Sequence, residues 1–380
     1  MGIQFYINSL PHLLPYALLL LAYLFLSFRA EISKDRWFGV PTLIILCLFA
    51  GFRDAIMTPD MERYRWLYVS AGEGQRVALE PSFVYLSRFF HALGFDYHAL
   101  FFTYTLVTLT FIYLGIKNYS PYIKLSLLLY ILIPASFLNM FVEMRQVCAV
   151  AIAFYATSLL VKDEVKYRLF RFIIFAILAV LFHYSALLYW PLFFLVYKFV
   201  KREHSTSLYL ALLAISFLIP PSAFVTAARI IAEPMAPARY RGYIDAFIEL
   251  QKHQAESGQL IKSVVYTLMA ACFIFSRRAI RDDEKEQMPL NLFIIGVVIL
   301  NLTRSFAAIS RIAFYFITFQ IIIFPFIAMR VKDRARAILA TYSLVLLYLL
   351  QFLYGLFYYA IETDSYVFLH FQNAIFSIFK

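Results

Sequence analysis

Three ionisable residues stand where an apolar helix should carry none. Glu143 and Arg145 open one long apolar run, and His183 closes another. A charge at bilayer depth costs roughly 3 kcal/mol or more, so such groups usually face a partner or a wet cavity. More cations accompany them. Fourteen basic residues lie outside the dense basic loops described below, and eleven of these are arginine, including Arg53, Arg239, Arg304 and Arg311. A guanidinium offers a planar fork that grips phosphate or carboxylate oxygens in pairs, which an ammonium cannot do. The bias points to an anionic ligand, with contact to lipid headgroups as the competing explanation. Arg53, Arg145, Arg304 and Arg311 fall at the ends of apolar runs, which suits a pre-organised rim. Arg63, Arg65 and Arg76 read as a solvated loop.

Acids would complete a transfer site. Asp54, Asp60, Glu62, Glu73 and Glu80 all fall between 53 and 97. Thr58 and Pro59 favour a fixed turn before Asp60, and Tyr64 follows four residues later. A carboxylate near a dry rim can act as a general base on a hydroxyl, whereas an ion pair with Arg53 or Arg63 is the structural alternative. Glu143 lies two residues from Arg145 and so off its helical face, leaving it to bridge another arginine or to join the chemistry. His183 is either a hydrogen-bonded core residue or a donor to phosphate oxygen. Ser185 is set aside as a nucleophile, because residues two apart on a helix point apart. Cys47, Cys148 and Cys272 lie inside apolar runs without metal spacing and read as core. Neither a metal nor a cofactor is expected.

The elements that must position these groups are membrane helices. The chain is 63% hydrophobic and 15% charged, against about 25% charged in a soluble domain. Apolar runs fall at about 11–28, 37–52, 98–116, 122–138, 143–161, 169–183, 185–200, 206–227, 260–276, 289–304, 311–329 and 337–360. They predict an all-α, polytopic bundle of about 12 spans, one transmembrane domain over 1–380. The first run lacks the basic leader of a signal peptide and is expected to be retained. Six short loops, 29–36, 117–124, 162–171, 198–204, 277–287 and 330–336, hold 20 of the 34 basic residues. By the positive-inside rule they are cytoplasmic, which accounts for the net charge of +11 without a nucleic-acid partner. The alternation works if 81–97 lies in the interface, with Phe83, Leu86, Phe90 and Leu93 as its apolar face. Two long outer loops remain: 53–97, carrying that helix, and 228–259, where Tyr240, Tyr243, Ile244, Phe247 and Ile248 predict a second amphipathic helix.

Several short signatures occur in an order that resembles the EpsG/Wzy-type family of membrane polysaccharide polymerases. They are Gly51-Phe52-Arg53, Asp60 with Tyr64, Glu80 before an aromatic helix, Met144-Arg145-Gln146 with Ala149, Phe182-His183-Tyr184-Ser185-Ala186, and Arg311 with Tyr315. The resemblance covers roughly 10–330; Thr58-Pro59 stands where the family often has Gly-Thr. It implies a GT-C-like glycosyltransferase in the bacterial cytoplasmic membrane, working on its outer face. The implied partners are undecaprenyl-pyrophosphate-linked oligosaccharides and membrane lipids, with a chain-length regulator as a further one. On that footing Arg145, Arg311 and Arg239 are expected to hold the pyrophosphate, with Arg53 and Arg304 next and His183 as a donor. Asp60 is expected to be the base and Glu80 its reserve, with Tyr64, Glu143 and Tyr315 in support. Other lipid-linked transferases or ligases, a flippase and a membrane acyltransferase are the competing classes.

Overall fold

Long apolar runs with few breakers fold as helices, and each of the 12 runs has a helical counterpart in the computed structural model. It describes residues 10–33, 38–161, 166–220, 223, 226, 256–280, 283–305, 307–330, 333–362 and 371–374. In chain order the main helices are α1 (Leu14–Ser33), α2 (Gly39–Gly51), α3 (Pro59–Gly72), α4 (Pro81–Ala92), α5 (Tyr97–Tyr119), α6 (Ile123–Leu132) and α7 (Met144–Leu160). They continue with α8 (Arg168–Phe182), α9 (Ala186–Val200), α10 (Thr206–Leu218), α11 (Glu256–Phe275), α12 (Glu284–Leu302), α13 (Gln320–Arg330) and α14 (Arg334–Glu362). Among the described residues five stretches are long and apolar enough to cross a membrane: Leu14–Ile32, Tyr97–Tyr119, Glu284–Leu302, Arg311–Arg330 and Ile338–Phe357. Among the described residues there is no β-strand, only an isolated bridge between Arg53 and Asn373. The protein is an all-helical, multi-pass membrane protein.

Two compact units divide the chain, one formed by 1–187 with 333–380 and the other by 188–332. In the first, α7 is the central element: apart from Arg145 and Tyr155, all its residues are buried. Gly115 lets α5 approach it, since a Cβ there would stand 2.5 Å from the Phe154 ring. The run expected at 122–138 is not one continuous helix. α6 stops at Leu132, as the proline at 134 requires; a 3-10 turn, Leu138–Phe141, then leads to α7. Unwound backbone at membrane depth is tolerated only when its polar groups find partners inside the protein. Arg53 and Thr58 supply them, donating to the carbonyls of Met140 (2.8 Å) and Phe141 (3.2 Å).

Thr58 begins α3 rather than a free turn. Its Oγ1 accepts from Met61 N at 3.1 Å, Pro59 takes the first helical position, and Asp60 and Glu62 favour the positive end of the helix. The stretch 371–374 returns to the end of α2. Asn373 donates to the carbonyls of Leu48 and Phe49, Ala374 N to Phe52 O, and Phe371 stacks on Phe49 at 4.2 Å.

In the second unit, Asn291 of α12 donates to the carbonyls of Val200 and Arg202 and accepts from Tyr209. Near its start α12 carries Glu286, which pairs in bidentate fashion with Arg330 at the end of α13. The amphipathic helix expected near 240–248 lies outside the described residues. Cys47 and Cys148 are buried, but Cys272 is exposed on α11 and is not a core residue.

Candidate active site

Arg145 emerges in the first turn of α7, the one charged side chain of a helix otherwise committed to the core. Glu80, the residue before Pro81 at the start of α4, reaches it. An extended backbone (φ −60°, ψ 149°) turns Glu80 inward, where it is only 4% exposed. Arg145 Nη1 donates to Glu80 Oε2, and the Tyr64 ring lies 5.1 Å beneath the guanidinium carbon. Such a stack adds a cation–π attraction and keeps the guanidinium flat against a hard surface. Tyr64 also hydrogen-bonds Arg145. Burial pushes the Tyr64 phenol above its ordinary pKa and Arg145 draws it back; nearby Asp60 and Glu143 press it upward again.

The second oxygen of Glu80 faces the α8–α9 turn. Oε1 accepts from Tyr184 N at 3.3 Å and lies 3.8 Å from His183 Nε2. His183 is not inside a helix; its extended backbone (φ −158°, ψ 127°) ends α8. That break brings Ser185 Oγ within 2.7 Å of His183 Nδ1, while Ser185 N donates to the same nitrogen at 3.1 Å. The two side chains therefore touch, contrary to the expectation from helical spacing. A nitrogen that accepts from a backbone N–H carries no proton, which assigns the imidazole proton to Nε2, on the side of Glu80.

One unit thus brings together Asp60, Tyr64, Glu80, Glu143, Arg145 and His183, drawn from α3, α4, α7 and the α8–α9 turn. Arg53 belongs to the same unit but is not a rim residue. It is 0% exposed, donates to the carbonyls of Ala50 and Met140 and to Thr105 Oγ1, and lies against the rings of Phe101 and Phe141. Its terminal nitrogens hold the end of α2 to the unwound segment; its Nε, like that of Arg145, has no hydrogen-bond partner among the described residues, but the side chain is wholly enclosed by protein. Arg304 likewise closes helix ends within the second unit, donating to the carbonyls of Asn301 and Ile219. Tyr315 is buried there and stacked on Tyr189 at 4.8 Å. Arg311 is exposed on a 3-10 turn, and Arg239 lies outside the described residues.

Sequence reasoning missed the Tyr184 amide and the Ser185 hydroxyl as parts of the cluster. The signal available was Ser185 two residues after His183, where polar side chains separate two apolar runs. Among the described residues no three His, Cys, Asp or Glu side chains converge as metal ligands.

The first turn of the membrane helix α7 thus carries an arginine paired with a buried carboxylate drawn from the start of α4. The chain belongs to the EpsG family, whose sequence model matches residues 36–373 of the 380. Membership in that family points to polysaccharide polymerisation. Neither a curated protein nor a solved structure matches the chain.

Proposed function

We propose that the protein lengthens a polysaccharide by transferring the growing glycan from undecaprenyl pyrophosphate to a hydroxyl of the next lipid-linked repeat unit. It would do so at the outer face of the cytoplasmic membrane, in a GT-C-like bundle whose 12 apolar segments all cross. The observation that carries this reading is the incomplete use of the Arg145 fork. Glu80 takes Nη1, while the buried Nε has no hydrogen-bond partner among the described residues. A buried donor left unmet costs about 1–3 kcal/mol, which an arriving phosphate oxygen would recover.

The reaction breaks the bond between the anomeric carbon and the pyrophosphate oxygen, and the bonding electrons leave with the lipid pyrophosphate. Arg145 stabilises that growing charge more in the transition state than before it. The acceptor hydroxyl oxygen forms the new glycosidic bond and yields its proton to Asp60. Glu80 acts as a positioning residue, holding Arg145 and the His183 turn, and Nε2–H of His183 donates to a pyrophosphate oxygen. Buried aromatic walls keep the site dry enough for these charges to count.

A membrane assay with one purified lipid-linked repeat unit tests the proposal. A ladder of lipid-linked products is the expected result. Transfer only to an added second acceptor would indicate a ligase, and unchanged chain length in every fraction would remove the enzymatic reading.

A further inference from the structure

Helix α4 is apolar on two faces, and only one is used inside the protein. Phe83 is fully buried, its ring 5.8 Å from that of Tyr64, Ser87 is buried, and His91 packs on Gly72. The sequence pattern named Phe83 as part of the lipid-facing side, but it belongs to this inner face. The opposite stripe is formed by Tyr85, Phe89 and Leu93, which are 69%, 57% and 58% exposed, and it runs on to Phe95. A spacing of four residues places the first three in one line along the helix.

Two short tethers fix the level of this stripe. Residues 52–58 join α2 to α3, and residues 93–96 join α4 to α5, a helix able to cross the membrane. Four residues reach at most about 14 Å, so the end of α4 stays near the membrane face where α5 begins. Exposed aromatic rings at that level match the headgroup boundary, where a ring can be half in lipid and half in water. The segment is mixed in charge, with Glu73 and Asp96 exposed beside its arginines, so headgroup contact rests on individual cations. Arg63 and Arg76 of the same 53–97 segment are exposed, and among the described residues neither has an acidic partner.

We propose that the Tyr85–Phe89–Leu93 stripe seats α4 flat in the leaflet at the N-terminal end of α5, and that anionic phospholipid headgroups, held by Arg63 and Arg76, are its partner. Because Glu80 begins this helix, the seating also sets the depth of the carboxylate that holds Arg145. The inference is independent of the catalytic assignment, since it concerns where a helix lies.

The full chain, with Trp37, Trp66 and Trp190 replaced by Phe and Phe89→Trp as the probe, tests it in vesicles of phosphatidylcholine with or without phosphatidylglycerol. A nitroxide on the lipid headgroup should quench Phe89→Trp several-fold more than one deep in the acyl chains, and aqueous iodide should quench it only weakly compared with free tryptophan. Strong iodide quenching would overturn the seating. So would stronger quenching from the deep label, or protection from all three quenchers, which would mean that protein, such as a second copy, covers the stripe. Shallow quenching should weaken without phosphatidylglycerol and in the Arg63→Gln/Arg76→Gln variant; equal quenching would overturn the anionic-lipid partner. Tyr85→Trp is the second probe on the same stripe should Phe89→Trp fail to fold.

Discussion

The two units each hold an arginine against a buried glutamate, and the pairs are built to opposite ends. Glu286 and Arg330 match both oxygens to both terminal nitrogens, and Arg330 adds the Ala279 carbonyl and lies 4.6 Å from the Phe326 ring. Glu80 and Arg145 share a single hydrogen bond. The remaining oxygen of Glu80 serves the His183 turn, and the Arg145 Nε is unmet among the described residues. A bidentate pair with an added carbonyl acts as a clasp between α12 and α13. A pair joined by one bond, with donors in reserve, can still bind something else. Identical side-chain chemistry thus yields a staple in one place and a candidate site in the other, and the difference lies in how many donors are spent.

Substitutions can break or sharpen that contrast. The largest expected effect is on Arg145→Lys, which keeps the charge but loses the fork. Product ladders in the membrane assay should fall about 30- to 1,000-fold, corresponding to about 2–4 kcal/mol of barrier. Arg330→Lys should leave the rate per folded molecule within a few-fold, and an equal loss in both variants would erase the distinction. Asp60→Asn should follow, with a fall on the order of 100-fold in rate and a loss of stability no larger than the roughly 0.3–1 kcal/mol of a helix-end charge. Glu286→Gln removes the charge partner of the part-buried Arg330 and should lower unfolding stability by about 1–3 kcal/mol in denaturant titrations, with turnover by the surviving folded fraction preserved. The smallest effect is expected from Tyr64→Phe. Burial raises the phenol above its ordinary pKa, so it is already protonated across neutral pH. Removing it should slow the ladder by a few-fold at every pH between neutral and mildly alkaline, with no new inflection in the rate profile.

Helices were legible from the sequence wherever composition alone sets them. The run expected at 143–161 is observed as Met144–Leu160, and that at 169–183 as Arg168–Phe182. Pairings between distant residues were not legible. Glu80 and Arg145 are 65 positions apart, and nothing local marks Glu80 as the partner rather than as a spare base. Arg53 reads as a rim residue because it follows the end of α2. Its main-chain acceptor at Met140 is 87 positions away and exists only because proline unwinds the chain after α6. A helical turn would hold His183 and Ser185 apart. One extended residue at the end of α8 reverses that geometry, and apolar periodicity carries no signal for it.

The return of residues 371–374 to the end of α2 has a bearing on biosynthesis. Asn373 meets carbonyls 324 and 325 positions earlier, beside the arginine that anchors the entrance to α7. A ribosome releases all of 188–332 before it releases this closing segment. Nascent protein in the translocon therefore waits, with its first unit open at one end, until these late residues emerge.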